Sequence, residues 1–163
     1  MPVTANLEPG PQDHEQWMRR ALALADRAGN EQEVPVGAVV VRDGQLLGEG
    51  WNQVISSSDP TAHAEIVAIR DATRMAGNYR LPGAILYVTL EPCTMCVGAL
   101  VHARVGRLVY GANEPKTGAI ESAQQLFETG KFNHQPEVEG GVLAAESSAL
   151  LTRFFERKRT AKK

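Results

Sequence analysis

At 163 residues and 43% hydrophobic content, the chain has the length and composition of one domain with its own core. Its 17 Lys and Arg against 19 Asp and Glu give a net charge of -2, which excludes a global attraction to nucleic acid and makes any such contact a local matter. No basic-then-apolar leader and no bilayer-length apolar run occurs, so the expectation is a soluble, cytoplasmic protein with no membrane contact.

Residues 1–12 hold Pro2, Pro9, Gly10 and Pro11 without an apolar period and read as a disordered lead-in. From Asp13, the residues Trp17, Ala21, Leu24, Ala25 and Ala28 recur at helical spacing, with Asp13 as candidate N-cap and Gly29 as stop. Val36 to Arg42 and Gln45 to Trp51 read as strands of a hairpin turned by Asp43-Gly44. Asp59-Pro60-Thr61 then offers capping oxygens and an early-turn proline for a helix that ends at Gly77, with Ile66, Val67 and Ile69 as candidate core. Ile85 to Leu90 is an apolar run suited to a central strand, and it leads directly into Glu91-Pro92-Cys93.

A helix to about His102, a strand Arg107 to Gly111 and a short helix near Gln124 to Phe127 follow. A strand around Val138 to Val142 and a helix from about Ala145 to Arg159 complete the order. This order predicts an α/β fold: a mixed sheet of about five strands between helical layers, in a single domain over 13–160, with a basic end at 161–163. Gly48-Glu49-Gly50 lacks the third glycine of a dinucleotide loop and reads as a bulge or packing feature.

The chemistry concentrates between Pro60 and Cys96. Both cysteines lie in Pro92-Cys93-Thr94-Met95-Cys96, and C-x-x-C alone is shared by metal sites, redox pairs and accidental spacing. The preceding His63-Ala64-Glu65 changes the reading, because one imidazole and two thiolates make three zinc ligands with no evident fourth. An open fourth position is the mark of catalytic zinc, and the H-x-E then P-C-x-x-C pattern is that of zinc deaminases. Glu65 is then the candidate acid–base catalyst, and His63, Cys93 and Cys96 the metal ligands for one zinc per subunit. His63 and Glu65, two residues apart, can serve one site only beyond the N-terminal end of a helix. The N-terminus of the cysteine helix would favour the thiolate forms of Cys93 and Cys96. His14, His102 and His134 have no such pattern beside them and read as ordinary histidines. The tail Arg153, Arg157, Lys158, Arg159, Lys162 and Lys163 is basic, with Phe154 and Phe155 inside it. It reads equally as an amphipathic helix end and as a phosphate- and base-binding surface.

Over about Glu15 to Arg159 the chain resembles the bacterial tRNA-specific adenosine deaminases. The resemblance rests on Glu33 to Ala38, Gly48 to Asn52, Asp59 to Glu65, Leu86 to Cys93, Lys116-Thr117-Gly118 and the Phe154-Phe155 tail. It implies a cytidine-deaminase-like three-layer α/β/α fold, a homodimer, and conversion of the wobble adenosine of an arginine tRNA to inosine with release of ammonia. It further implies substrate contacts at Asn52, the Ala64 amide, Glu114, Lys116, Asn133, Phe154 and Arg157, with the anticodon stem-loop as partner. Glu114-Pro115 departs from the family pattern, which usually has Asp followed by another residue. The rivals are a deaminase of a free base such as guanine or cytosine, which needs no basic tail, and a non-catalytic zinc module that binds RNA, which needs no Glu65.

Overall fold

The computed structural model describes residues 9–162. Its elements are α1 (Pro11–Asn30), β1 (Gly37–Arg42), β2 (Gln45–Trp51), α2 (Ala64–Ala76), β3 (Ile85–Leu90), α3 (Thr94–His102), β4 (Arg107–Ala112), α4 (Leu126–Thr129), β5 (Glu137–Glu139) and α5 (Ala144–Ala161). The sheet order is β2-β1-β3-β4-β5, with β1 antiparallel to both neighbours and β3, β4 and β5 parallel.

Side-chain alternation divides two cores. Ala38, Val40, Leu86, Val88, Leu108 and Tyr110 pack with Ala64, Ala68 and Ala72 of α2 and Leu100 of α3. Val39, Val41, Tyr87 and Val109 pack on the other face with Met18, Ala21 and Leu24 of α1. Both faces of the central strands are therefore buried, which is why these strands read as unbroken apolar runs. The expected α/β/α layering and five-stranded mixed sheet are present. Among the described residues, no helix is long and apolar enough to cross a membrane.

Gly48 and Gly50 let α2 approach β2, since a Cβ on Gly48 would lie 2.5 Å from the Ala72 amide and one on Gly50 2.5 Å from the Ala68 amide. A register shift opposite Val40/Val41 adds a bulge beside Gly48, so the glycine pair is a packing device. Asp43 and Gly44 both take positive φ, as a two-residue hairpin turn requires.

Several expected boundaries shift. Helix α1 starts at Pro11, whose fixed φ suits the first turn, and Gly10 is its N-cap. Asp13 instead accepts the Gly10 amide at 3.0 Å from the third helical position. Residues 1–8 of the expected lead-in lie outside the described residues. Asp59 accepts from the amide and hydroxyl of Thr61, at 2.9 and 2.7 Å, and closes a turn ahead of α2 instead of capping it. The N-cap is His63 itself, while Gly77 stops α2 in the left-handed region as expected. The last strand is Glu137–Glu139, and α5 extends two residues past Arg159.

Candidate active site

The site forms at the carboxyl end of β3, where two helices begin. His63 is the N-cap of α2 and Cys93 the N-cap of α3, both with extended backbone, so each side chain projects beyond its helix end. Cys96 lies one turn into α3 and is fully buried. His63 Nδ1 is 3.6 Å from Sγ of Cys93 and 3.6 Å from Sγ of Cys96. All three ligand atoms fall within 4.8 Å of one another. Tetrahedral zinc with ordinary Zn–N and Zn–S bonds separates N from S by about 3.6 Å, so the donor set and its spacing fit that ion. His63, Cys93 and Cys96 would hold zinc, and no other His, Cys, Asp or Glu among the described residues joins the cluster.

Glu65 follows at the second helical position of α2 and is 4% exposed. Burial pushes its carboxyl above the ordinary range, opposed by its own amide, the Cys96 thiol and His63. Hydrogen bonding from Cys96 holds the Cys93 thiol down to about 4, while the Cys96 thiol is pushed up. His63 is raised, first through its bond to Cys93. The convergence expected of His63 and Glu65 at a helix start is what the backbone delivers.

The expected substrate contacts divide. Asn52, just past β2, accepts the Ala64 amide through Oδ1 at 2.9 Å and donates through Nδ2 to the Val34 carbonyl at 3.1 Å. Both expected base-binding groups are thus bonded to each other here, tying the end of β2 to the start of α2. Glu114 and Lys116 lie on the loop after β4, where the Glu114 carboxylate accepts the Lys116 amide at 2.9 Å and leaves the lysine side chain exposed.

One expectation is overturned, and a second residue lies away from the metal. Phe154 is 4% exposed, because the i, i+7 spacing from buried Ser147 places it on the sheet side of α5, whereas Phe155 is 43% exposed. Phe154 is therefore core. Asn133 precedes His134, whose ring Nε2 is 2.7 Å from the Val105 carbonyl ahead of β4. That is the amino end of β4, a strand length of about 15–20 Å from the cysteine turn, so Asn133 stands away from the metal cluster. Arg157 is exposed on α5. Ser147 packs against Gly111 at the carboxyl end of β4, and Lys158 is near enough to Glu33 to lower its carboxyl. Helix α5 thus passes the carboxyl end of β4 and brings Lys158 toward Glu33, while Arg153 lines a groove against α1 with Arg19 and Asp26.

Sequence reasoning gave no role to two buried glutamates. Glu33, 2% exposed, accepts the amides of Ile55 and Ser56 at 3.0 and 2.8 Å. Burial raises its pKa, but the hydrogen bonds outweigh it and the net shift is downward. Glu91, also 2% exposed, accepts from Glu114, Ile120, Glu121 and Ser122, and again donated hydrogen bonds overcome burial to lower its pKa. The available signal was a carboxylate wedged against an apolar strand and a proline, in Glu33-Val34-Pro35 and in Leu90-Glu91-Pro92.

Residues 11–112 match the family model described as the cytidine and deoxycytidylate deaminase zinc-binding region. The tRNA-specific adenosine deaminase of Haemophilus influenzae is 55% identical over 91% of this chain and 87% of its own length. A solved tRNA:A34 deaminase, studied for A-to-I editing at the wobble position of transfer RNA, superposes with a TM-score of 0.81 and 48% identity, over 83% of this chain and 99% of that one. Guanine deaminase from Bacillus subtilis superposes with a TM-score of 0.60 and 46% identity, over 61% of this chain and 64% of that one. Match and metal cluster coincide, since every expected zinc ligand falls inside the matched region. With that region filling most of the chain and such identity reaching nearly end to end, the chain belongs to the zinc-dependent cytidine and deoxycytidylate deaminase family, among its tRNA-specific adenosine deaminases.

Proposed function

We propose that this hydrolase converts adenosine to inosine at the wobble position of a tRNA anticodon, releasing ammonia, with an arginine tRNA as the substrate its family resemblance implies. The observation that carries the reading is Glu65, a buried carboxylate with a raised pKa beside an N, S, S ligand set. Zinc, when bound, supplies a Lewis acid that makes hydroxide available near neutral pH. Glu65 takes one proton of the attacking water and delivers it to ring N1; it then takes the remaining proton from the new hydroxyl on C6 and passes it to the amino group, which leaves as ammonia while C6 becomes a carbonyl. Asn52 and the Ala64 amide hold the base edge, which takes the place of the bond they make to each other.

The basic residues of α5 and the exposed Lys116 face the anticodon loop, whose unpaired base is accessible without opening a duplex. A second copy of the chain is the further partner. Helix α3 is apolar nearly all round, yet Met95, Gly98 and Ala99 are only partly buried, and the space a Gly98 side chain would fill is open. Acting on tRNA places the enzyme in the cytoplasm. The likeness to guanine deaminase supports a second reading, deamination of a free base, which leaves the basic helix without a task.

One assay separates the two readings. Zinc-loaded protein incubated with an anticodon stem-loop should yield inosine and ammonia in equal amounts, and should leave free adenine, guanine and cytosine unchanged. Ammonia from guanine with none from the stem-loop would replace the proposal by the free-base reading.

A further inference from the structure

The loop after β4, residues 113–122, is fastened to the cysteine turn through one side chain. Glu91 Oε1 accepts the Glu114 amide at 3.1 Å and the Ser122 hydroxyl. Oε2 accepts the amides of Ile120, Glu121 and Ser122 at 3.1, 2.9 and 3.0 Å. The backbone on either side of Glu91 is held by the same region: its own amide donates to Ala112 O at 2.8 Å, and Pro92 O accepts the Ala119 amide at 2.8 Å. At Gly118 a Cβ would lie 2.4 Å from the Glu91 carboxyl carbon and 2.5 Å from Glu114 O, so only glycine lets the loop close around the carboxylate. Beyond the loop, Thr94 of α3 donates to Gln124 at 2.9 Å. Glu91 lies two residues before Cys93, and the loop carries Glu114 and the exposed Lys116.

We infer that Glu91 is a positioning residue: it fixes the 113–122 loop in register with the cysteine turn, so that the substrate-facing loop and the metal stand at a set distance. The inference rests on the proposed reading of that loop as a substrate contact. Physically, five donors converge on one carboxylate, whereas a Gln there would turn an NH2 group toward amides that need an acceptor. The loop's own hydrogen bonds, such as the Gly118 amide to Glu114 O at 2.9 Å, shape it internally without placing it against Cys93.

The test compares Glu91→Gln, the milder Ser122→Ala and Gly118→Ala with wild type, all zinc-loaded. The readouts are bound zinc, amide hydrogen exchange, and KM and kcat on an anticodon stem-loop. Glu91→Gln and Gly118→Ala should keep one zinc per chain and lose exchange protection at Glu114, Ile120, Glu121 and Ser122. Their kcat/KM should fall by about 10–100-fold, mainly through KM. Ser122→Ala should shift the same quantities in the same direction by less. Unchanged protection, KM within twofold of wild type, or loss of zinc in step with loss of activity would each overturn the inference, the last because Glu91 would then merely support the metal turn. Hydrogen exchange and zinc content are read without turnover, so a wild-type protein that ignores the stem-loop would sink the substrate reading while Glu91's hold on the loop was still decided.

Discussion

Glu65 and Glu91 are the same side chain, both buried and each within two residues of a zinc ligand, yet the structure gives them opposite chemistry. Glu91 meets four backbone amides and a hydroxyl, so its charge is satisfied in place and its pKa is lowered. Glu65 has only its own amide, the Cys96 thiol and the His63 charge against full burial, and its pKa is raised. A carboxylate with every lone pair engaged holds a loop. One with spare lone pairs and a raised pKa is free to take up and release a proton. The number of donors within reach, and not burial, separates the anchor from the candidate catalyst.

The largest effect should come from removing the metal beside which Glu65 acts. Cys93→Ala leaves two ligands of three, so zinc content should fall from about one per chain to near zero, with activity falling in step. Metal analysis settles this, and full retention would show that the ligand set is wrong.

Next in size is Glu65→Gln, which keeps the shape and removes the titrating group. Turnover should fall by at least about 10²–10⁴-fold while zinc stays bound. The stability sign also follows. A folded pKa raised above the unfolded value contributes stability that is present below the unfolded value and lost as pH rises through the folded one. In the zinc-free protein ionised Glu65 therefore costs stability, and there the Gln variant should melt no lower than wild type at pH 7–8. Turnover within a few-fold of wild type would mean that another residue moves the proton.

Glu33, between α1 and β1, extends the comparison to a second anchor, one that holds the loop after β2. Its lowered pKa gives the opposite sign, with stability present above the unfolded value near 4.3 and lost as pH falls through the folded value. Glu33→Gln leaves the Ile55 or Ser56 amide without an acceptor and should cost about 1–3 kcal/mol at neutral pH. Melting curves of the two proteins should converge as pH falls through the lowered folded value, beneath the ordinary carboxylate range. A pH-independent difference would mean that packing, not charge, holds that loop.

The smallest effect belongs to charges with no buried partner. Arg153 and Arg157 are exposed, so their replacement by Ala should leave zinc content and melting temperature nearly unchanged. Each should reduce the slope of log affinity for an anticodon stem-loop against log salt by about 0.7–0.9. Wild-type slopes in both variants would make α5 a solvated helix end.

The sequence by itself determined the chain order of the elements and the mixed five-stranded sheet, and it offered the zinc ligands together with Glu65 as candidate catalyst. His63, Glu65, Cys93 and Cys96 are tied to local helix starts, and a site built from caps is readable wherever the caps are. The layers were legible for the same reason, since apolar runs report strands buried on both faces. Tertiary structure alone decided the rest. Which face of α5 turns inward depends on where Ser147 meets Gly111, and that made Phe154 core and left Phe155 outside. Asn133 fell at the far end of the sheet because β5 runs parallel to β4, so its approach loop enters at the amino end. Glu33 and Glu91 could not be recognised as anchors in advance, because their donors lie 22 to 31 residues away in the chain. A carboxylate's role depends on what surrounds it, and only the folded chain brings those amides together.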